Sequence, residues 1–309
     1  MSENHIIFGT GPLGRSTAEA LLKMGKTVRM VNRSGKMADT PAGVEILASD
    51  AYDVEKNIEI TRGATAIYQC AQPHYYEWAE KFPALQRAIL AAAIANGARL
   101  VVADNLYMYG QFSGSLYEDY PVQPNTKKGR VRAAMSQEVL DAHVDGKVQA
   151  VIGRASDFFG PYDGALTAYA MQPAVKGKTI NLIGNTNQPH TFTYIKDFGL
   201  LLATLGTRND ALGQVWFAPS NPPLTQSEFV RLMEIELRKP VKYRVGGPVM
   251  MHILGLFDKE IGESVEMLYE WTAPYIVDTS KAEKAFGLKP TPMPQAIAET
   301  LTWCKAQGS

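Results

Sequence analysis

A Rossmann-type α/β fold is what this sequence predicts: a doubly wound parallel sheet with a smaller, irregular C-terminal part. Three observations carry the expectation. A short β-branched and aromatic strand, HIIF, runs directly into glycines at 9, 11 and 14. Strand-like and helix-like segments then alternate as far as residue 154. Past residue 155 the alternation gives way to loops rich in glycine, proline and asparagine (FFGPYDG, GNTNQP, APSNPP).

Each element has a local reason. HIIFG (5–9) is the first strand, and STAEALLKMGK puts Ala18, Leu21 and Leu22 on one helical face before stopping at Gly25. TVRMVN (27–32), VEILA (44–48), ATAIYQCA (64–71), ARLVVAD (98–104) and KVQAVIGR (147–154) read as further strands. Helices fall near 53–62, from about Tyr75 to Ala95, and from the PNTKKGR stretch to about His143. Farther on, FTYIKDFGLLLATLG reads as a strand passing into a helix, VWFA as a short strand and LTQSEFVRLMEIELRK as a capped helix. The division this predicts is a nucleotide-binding unit over 1–155, to which 188–218 returns, and a substrate-binding part made of 156–187 and 219–309.

With 309 residues, 46% of them hydrophobic, the chain can bury a large core. Lysine plus arginine equals aspartate plus glutamate at 31 each. No global field therefore points to nucleic acid, an acidic membrane or a polyanion, and charge-based recognition has to be local. Cys70 and Cys304 are too few for a disulfide framework and lack metal-site spacing; they read as buried small hydrophobes in a reducing compartment. No leader is visible and no apolar run reaches the ~18 residues of a membrane span, so a cytoplasmic protein that binds a small-molecule substrate is expected.

Gly9, Thr10, Gly11, Pro12, Leu13 and Gly14 spell G-x-G-x-x-G between the first strand and the first helix. The first glycine allows the tight turn, the second a close approach of a pyrophosphate, and the third close helix packing; the helix N-terminus supplies amide donors. NAD sites usually carry an acid at the end of the second strand, about 20 residues on. Here no acid occurs between Glu19 and Asp39, and the strand ends in Asn32, Arg33 and Ser34. A guanidinium and a hydroxyl suit a 2′-phosphate, which favours NADP over NAD as cofactor.

By this point the chain resembles the extended or atypical branch of the short-chain dehydrogenase/reductase superfamily, which includes nucleotide-sugar epimerases and dehydratases. Seven pieces in family order carry the likeness: GTGPLG, SDAYD, YQCAQP, ADNLYMYG, GRASDFFGP, HTFTYIKDFG and VDTSKAEKAFGLKPTP. The resemblance implies that Asp50 and Ala51 lie by the adenine, Ala71 and Gln72 along the ribose and phosphates, and Arg154 to Ser156 near the nicotinamide. It also implies a Ser or Thr and a Tyr-x-x-x-Lys as the proton-handling site, and a homodimer built on helices. The serine's place falls on Asn105, the tyrosine's on Thr126 and the lysine's on Arg130, so all three roles have changed residue type. Arg130 retains the means to hold the cofactor ribose. The remaining cations of the stretch, Lys127, Lys128 and Arg132, read as a solvated face, with phosphate binding as the alternative.

Tyr107, two residues beyond Asn105, points the same way in an extended segment and is the first substitute proton donor. His74, Tyr162 and His190 are candidates to face substrate from loops. Two functions follow from this pattern. The first is an NADP(H)-dependent oxidoreductase or epimerase/dehydratase-like enzyme acting on a carbonyl or hydroxyl compound. The second is a non-catalytic NADP(H)-binding sensor or scaffold.

Overall fold

The computed structural model describes residues 3–162, 166–247, 251 and 259–307. The end of the FFGPYDG loop, 163–164, lies outside them. The N-terminal half reads β1 (Asn4–Phe8), α1 (Pro12–Lys23), β2 (Thr27–Asn32), β3 (Val44–Ala48), α2 (Val54–Ile60), β4 (Ala66–Gln69), α3 (Trp78–Asn96), β5 (Arg99–Asp104), β6 (Ser115–Leu116), α4 (Lys127–Val144) and β7 (Ala150–Arg154). The rest adds β8 (Phe158–Phe159), α5 (Gln172–Val175), β9 (Ile180–Ile183), β10 (Thr193–Tyr194), α6 (Ile195–Leu205), β11 (Val215–Phe217), α7 (Gln226–Leu237), β12 (Tyr243–Gly246) and β13 (Ile276–Val277). Short helices at Lys259–Ser264 and Ser280–Phe286 and a longer one at Met293–Ala306 complete the described chain.

Seven strands form one sheet in the order β11-β7-β5-β4-β1-β2-β3, every pairing parallel. A parallel sheet is covered on both faces, which is why its strands are apolar at successive positions. Ile6 and Phe8 face the layer of α3 and α4 with Phe82, Leu85, Ile89 and Val139, whereas Ile7 faces the layer of α1 and α6 with Leu21, Phe198 and Leu202. Val215 in β11 pairs with Ile152 in β7, so 215–217 adds the seventh strand, and α6 packs along α1.

ATAIYQCA is shorter as a strand than its composition suggests, because after Gln69 the chain passes beneath the glycine turn instead of continuing the ladder. KVQAVIGR likewise pairs only from Ala150. In the C-terminal part, Phe159, Met171, Leu182, Phe192, Phe229 and Leu301 share a separate core. The capped helix predicted from LTQSEF is α7, opened by a capping box between Thr225 and Glu228.

Candidate functional site

The glycine turn is built for close approach. Gly9 has φ of +110°, and a Cβ there would lie 2.7 Å from the amide nitrogen of Ala71. A Cβ on Gly14 would sit 2.1 Å from the carbonyl oxygen of Gly9, so this glycine lets α1 press onto the turn. Gly11 meets nothing within 4 Å, which leaves open space above the backbone. Gly11 caps α1 without a side-chain bond, Pro12 occupies its first turn, and no acid stands there. The amides of that turn are thus offered to an anion from outside.

Past the ends of β2, β3 and β4, a cleft of about 740 Å³ is lined by Arg33, Asp50, Tyr52, Gln72, His74 and Glu260 among others. It brings together four of the residues singled out from the sequence. Asn32 and Ser34 need correction. Asn32 Nδ2 donates to Thr10 Oγ1 (3.1 Å) and Lys36 O (2.8 Å), while its Oδ1 accepts from Gly35 N (2.8 Å) and from the Ser34 hydroxyl (3.1 Å). Both side chains brace the bend after β2, and their donors are spent there. Arg33 is exposed at the cleft.

The positions expected to replace the family's proton-handling residues lie at the start of α4 and after β5. Thr126 is the helix N-cap, its hydroxyl accepting from Gly129 N at 2.9 Å. Asn105 Oδ1 accepts from Tyr107 N (3.2 Å) and shapes the turn after β5. Arg130 is exposed in a groove between α3 and α4 with Arg87 and Glu138. The residues that α4 buries at one-turn spacing are Lys128, Arg132 and Ser136, the first two each 2% exposed. The solvated face expected there holds for Lys127 and fails for Lys128 and Arg132.

Arg132 ends in a buried network that also claims Arg154. Asp104 Oδ1 accepts from Arg132 Nε (2.7 Å) and Asn105 N (2.8 Å); Oδ2 accepts from Ser136 Oγ (2.7 Å) and Arg154 Nε (3.0 Å). Arg154 donates further to the Tyr109 hydroxyl (2.6 Å) and Ser136 Oγ (2.9 Å). Burial alone would push the Asp104 carboxyl up; Arg132 and Arg154 outweigh it and hold the group below its ordinary value. Arg154 is therefore a brace between β5, β7 and α4, a correction to its expected place at the cofactor.

Tyr107 opens a 3₁₀ turn, 107–109, so the extended geometry assumed for it is absent. Its hydroxyl accepts from that of Tyr75 at 3.3 Å. Burial, Tyr75, Glu270 and Asp157 hold the phenol well above its ordinary value. It stays protonated near neutrality, opposite to the lowered value that the family's tyrosine needs. Burial and the nearby Asp157 charge push Glu270, 2% exposed, well above the usual carboxylate range.

His190 is fully enclosed: Nε2 lies 2.9 Å from Asp157 Oδ2 and Nδ1 3.2 Å from the Glu270 carbonyl oxygen, with Trp271 stacked at 4.1 Å and Tyr275 at 5.1 Å. It knits segments together and presents no free face. Tyr162, at φ +71°, has the Arg15 guanidinium 3.7 Å above its ring and Trp303 at 5.5 Å. Packing thus claims both candidates, leaving His74 as the exposed one at the cleft rim, 3.6 Å from Glu260.

Sequence reasoning missed Lys128 as a buried group, together with Glu263 and Glu266, which hold it. The signal for Lys128 was present, since KGRVR repeats the four-residue spacing of Tyr-x-x-x-Lys two places beyond TKKGR. Nothing local signalled the glutamates. Buried polar atoms without partners among the described residues include the Gln69 amide, Trp78 Nε1, Ser156 Oγ and the Tyr269 hydroxyl. The Cys70 thiol is pushed up to about 12 by burial. Among the described residues no metal-ligating cluster occurs and no helix is long and apolar enough to cross a membrane.

Known proteins share this architecture. A dTDP-glucose 4,6-dehydratase from Streptomyces venezuelae, solved with NAD bound, superposes with a TM-score of 0.79 at 18% identity, covering 98% of this chain and 97% of that one. A UDP-glucuronic acid 4-epimerase from Bacillus cereus, also with NAD, gives 0.79 at 16% identity over 99% and 100%. In sequence, the chain is 22% identical over 296 residues to the 3beta-hydroxysteroid-dehydrogenase/decarboxylase isoform 2 of Arabidopsis thaliana, covering 84% of the chain but about half (51%) of that relative. It is 23% identical over 328 residues to a mouse (Mus musculus) decarboxylating sterol-4-alpha-carboxylate 3-dehydrogenase, covering 96% of the chain and 89% of the relative. A family model matches residues 6–215, and with the parallel sheet and glycine turn in place the chain belongs to the NAD dependent epimerase/dehydratase family.

Proposed function

We propose that the chain is an NADP(H)-dependent oxidoreductase or epimerase/dehydratase-like enzyme acting on a carbonyl or hydroxyl compound. The observation that carries the reading is the glycine turn: Gly9 and Gly14 have no room for a Cβ while Gly11 leaves free space beside uncapped α1 amides. A dinucleotide pyrophosphate fits that combination. Gln72 and Asp50 would accept the adenosine half, and Arg33 the 2′-phosphate. Ser156, whose buried hydroxyl lacks a partner, suits the nicotinamide end. When bound, the cofactor supplies hydride transfer.

The substrate class stays at the level of the relatives, which span sterols and sugar nucleotides. The acceptor oxygens of Asn105 and Thr126 are taken by backbone amides and Arg130 is exposed, so none of the three reproduces the family's activated tyrosine. This favours a second reading, a cofactor-binding sensor that has given up chemistry. Fluorescence titration with NADPH and NADH, each repeated on Arg33→Ala, tests the first step. Tight NADPH binding that weakens selectively in the variant supports the cofactor reading; no binding of either overturns both readings. A carbonyl and sugar-nucleotide turnover screen then separates enzyme from sensor.

A further inference from the structure

We propose that Lys259–Trp271 is a strap that closes the dinucleotide cleft and is latched on Lys128, so that bound cofactor leaves only when the latch opens. The inference rests on the cofactor reading above and adds a device to it.

The strap's first part, the helix Lys259–Ser264, carries no buried side chain. Glu260 nevertheless lines the same cleft as Arg33, Asp50 and Gln72, so whatever sits there shares a wall with the strap. At the rim Glu260 lies 3.6 Å from His74 Nδ1, and Lys259 Nζ stands 5.8 Å from the ring centre of Tyr76. These contacts are exposed and weak.

The stronger tie lies one turn farther on. Glu266 accepts from the backbone amides of Lys127 (2.7 Å) and Lys128 (3.1 Å) and from Lys128 Nζ (3.1 Å), completing the start of α4. Glu263 takes the same ammonium with its backbone carbonyl (3.0 Å) and its carboxylate. The ammonium also lies 4.5 Å from the centre of the Tyr75 ring.

Exposure is lopsided across this tie. The Lys128 side chain is 3% exposed, against 38% for Glu263 and 27% for Glu266. A buried ammonium needs its partners, whereas the carboxylates already touch water. With its partners neutralised, the ammonium regains water most readily by lifting of the strap that covers it.

The far end is anchored. Met267 and Leu268 are buried, Trp271 stacks on His190, and its carbonyl accepts from Asn185 N at 2.8 Å. Among the described residues of the strap, the part without a buried side chain is Lys259–Glu266.

The test loads the wild-type chain and the Glu263→Gln/Glu266→Gln double variant with NADPH. Each is then chased with excess NADP⁺ while bound-NADPH fluorescence is followed in a stopped-flow instrument. Release from the double variant is expected to be roughly tenfold faster or more, with a smaller change in association. Circular dichroism checks that the variant is folded. Should it not fold, Glu263→Gln alone, which leaves the α4 cap in place, is expected to speed release several-fold. Equal release from wild type and a folded variant overturns the latch while leaving the cofactor reading intact. Failure of wild type to bind either NADPH or NADH overturns the cofactor reading and the latch together.

Discussion

Asp104 at the end of β5 and Arg132 in the second turn of α4 form a buried ion pair, 2.7 Å from Oδ1 to Nε, with both side chains no more than 3% exposed. Arg154 holds the other carboxylate oxygen at 3.0 Å. One carboxylate thus sits between two guanidiniums that have no other acid within reach of an ion pair among the described residues.

Replacing Asp104 by Asn leaves two buried arginines facing a neutral amide. The expected loss of stability is about 3–5 kcal/mol, read by urea denaturation at neutral pH. Because the folded-state value of Asp104 is depressed, its contribution is present above the unfolded value near 3.8 and is lost as pH falls through the folded value. The gap between wild type and Asp104→Asn should therefore narrow in acid. A gap independent of pH would contradict the ion-pair account.

The glycines of the turn should separate folding from binding. Gly14→Ala places a Cβ 2.1 Å from Gly9 O, and is expected to cost about 1–3 kcal/mol or more of stability through overpacking. Gly11→Ala meets nothing within 4 Å, so its melting temperature should stay close to wild type while NADPH affinity falls roughly tenfold or more as the methyl enters the pyrophosphate's space. Thermal melts and fluorescence titrations read the two effects separately.

Arg33 and Arg130 should behave oppositely. Arg33→Ala removes a charge from the cleft, and NADPH affinity is expected to fall about tenfold, with NADH little affected, as for a lost charge-assisted bond. Arg130→Ala alters an exposed cation of the groove between α3 and α4 and should change neither. An Arg130→Ala protein with weakened NADPH binding would restore the place that the family resemblance gave it.

Asp197 offers a pH signature in α6. Its carboxyl accepts from Thr291 N (2.8 Å) and Thr291 Oγ1 (2.7 Å), and burial raises it from 3.8 to about 6. A raised folded value means that the proton favours the folded chain: the stabilisation is complete below about 3.8 and lost as pH rises through about 6. Asp197→Asn has no such titration. Between roughly pH 4 and pH 7, wild type should lose about 2 kcal/mol relative to the variant in urea denaturation. A constant difference across that range would show that Asp197 titrates normally.

What could be read without coordinates was local in origin. The boundaries of β2 and β3 follow from runs of β-branched residues ending at polar ones, and the N-terminus of α7 from Thr225 and Glu228 three residues apart. The phosphate turn is equally local, because its requirement is backbone space at Gly9, Gly11 and Gly14. At the start of α4, by contrast, two pairs of positions share the same four-residue spacing: Thr126 with Arg130, and Lys128 with Arg132. The family's pattern selected the first pair, and the fold turns the second inward. Spacing within a helix fixes which residues share a face but leaves the direction of that face undetermined.

By itself, then, the sequence determined the parallel α/β fold and the glycine turn, since each depends on patterns spanning a few residues. Only the tertiary structure decided the rotation of α4, which turns Arg130 outward and buries Lys128 and Arg132. The physical reason is that the partners of those cations are remote. Asp104 stands 28 residues from Arg132, and Glu263 and Glu266 stand 135 and 138 residues from Lys128. A buried charge is tolerable only where such partners converge, and no local pattern records that convergence.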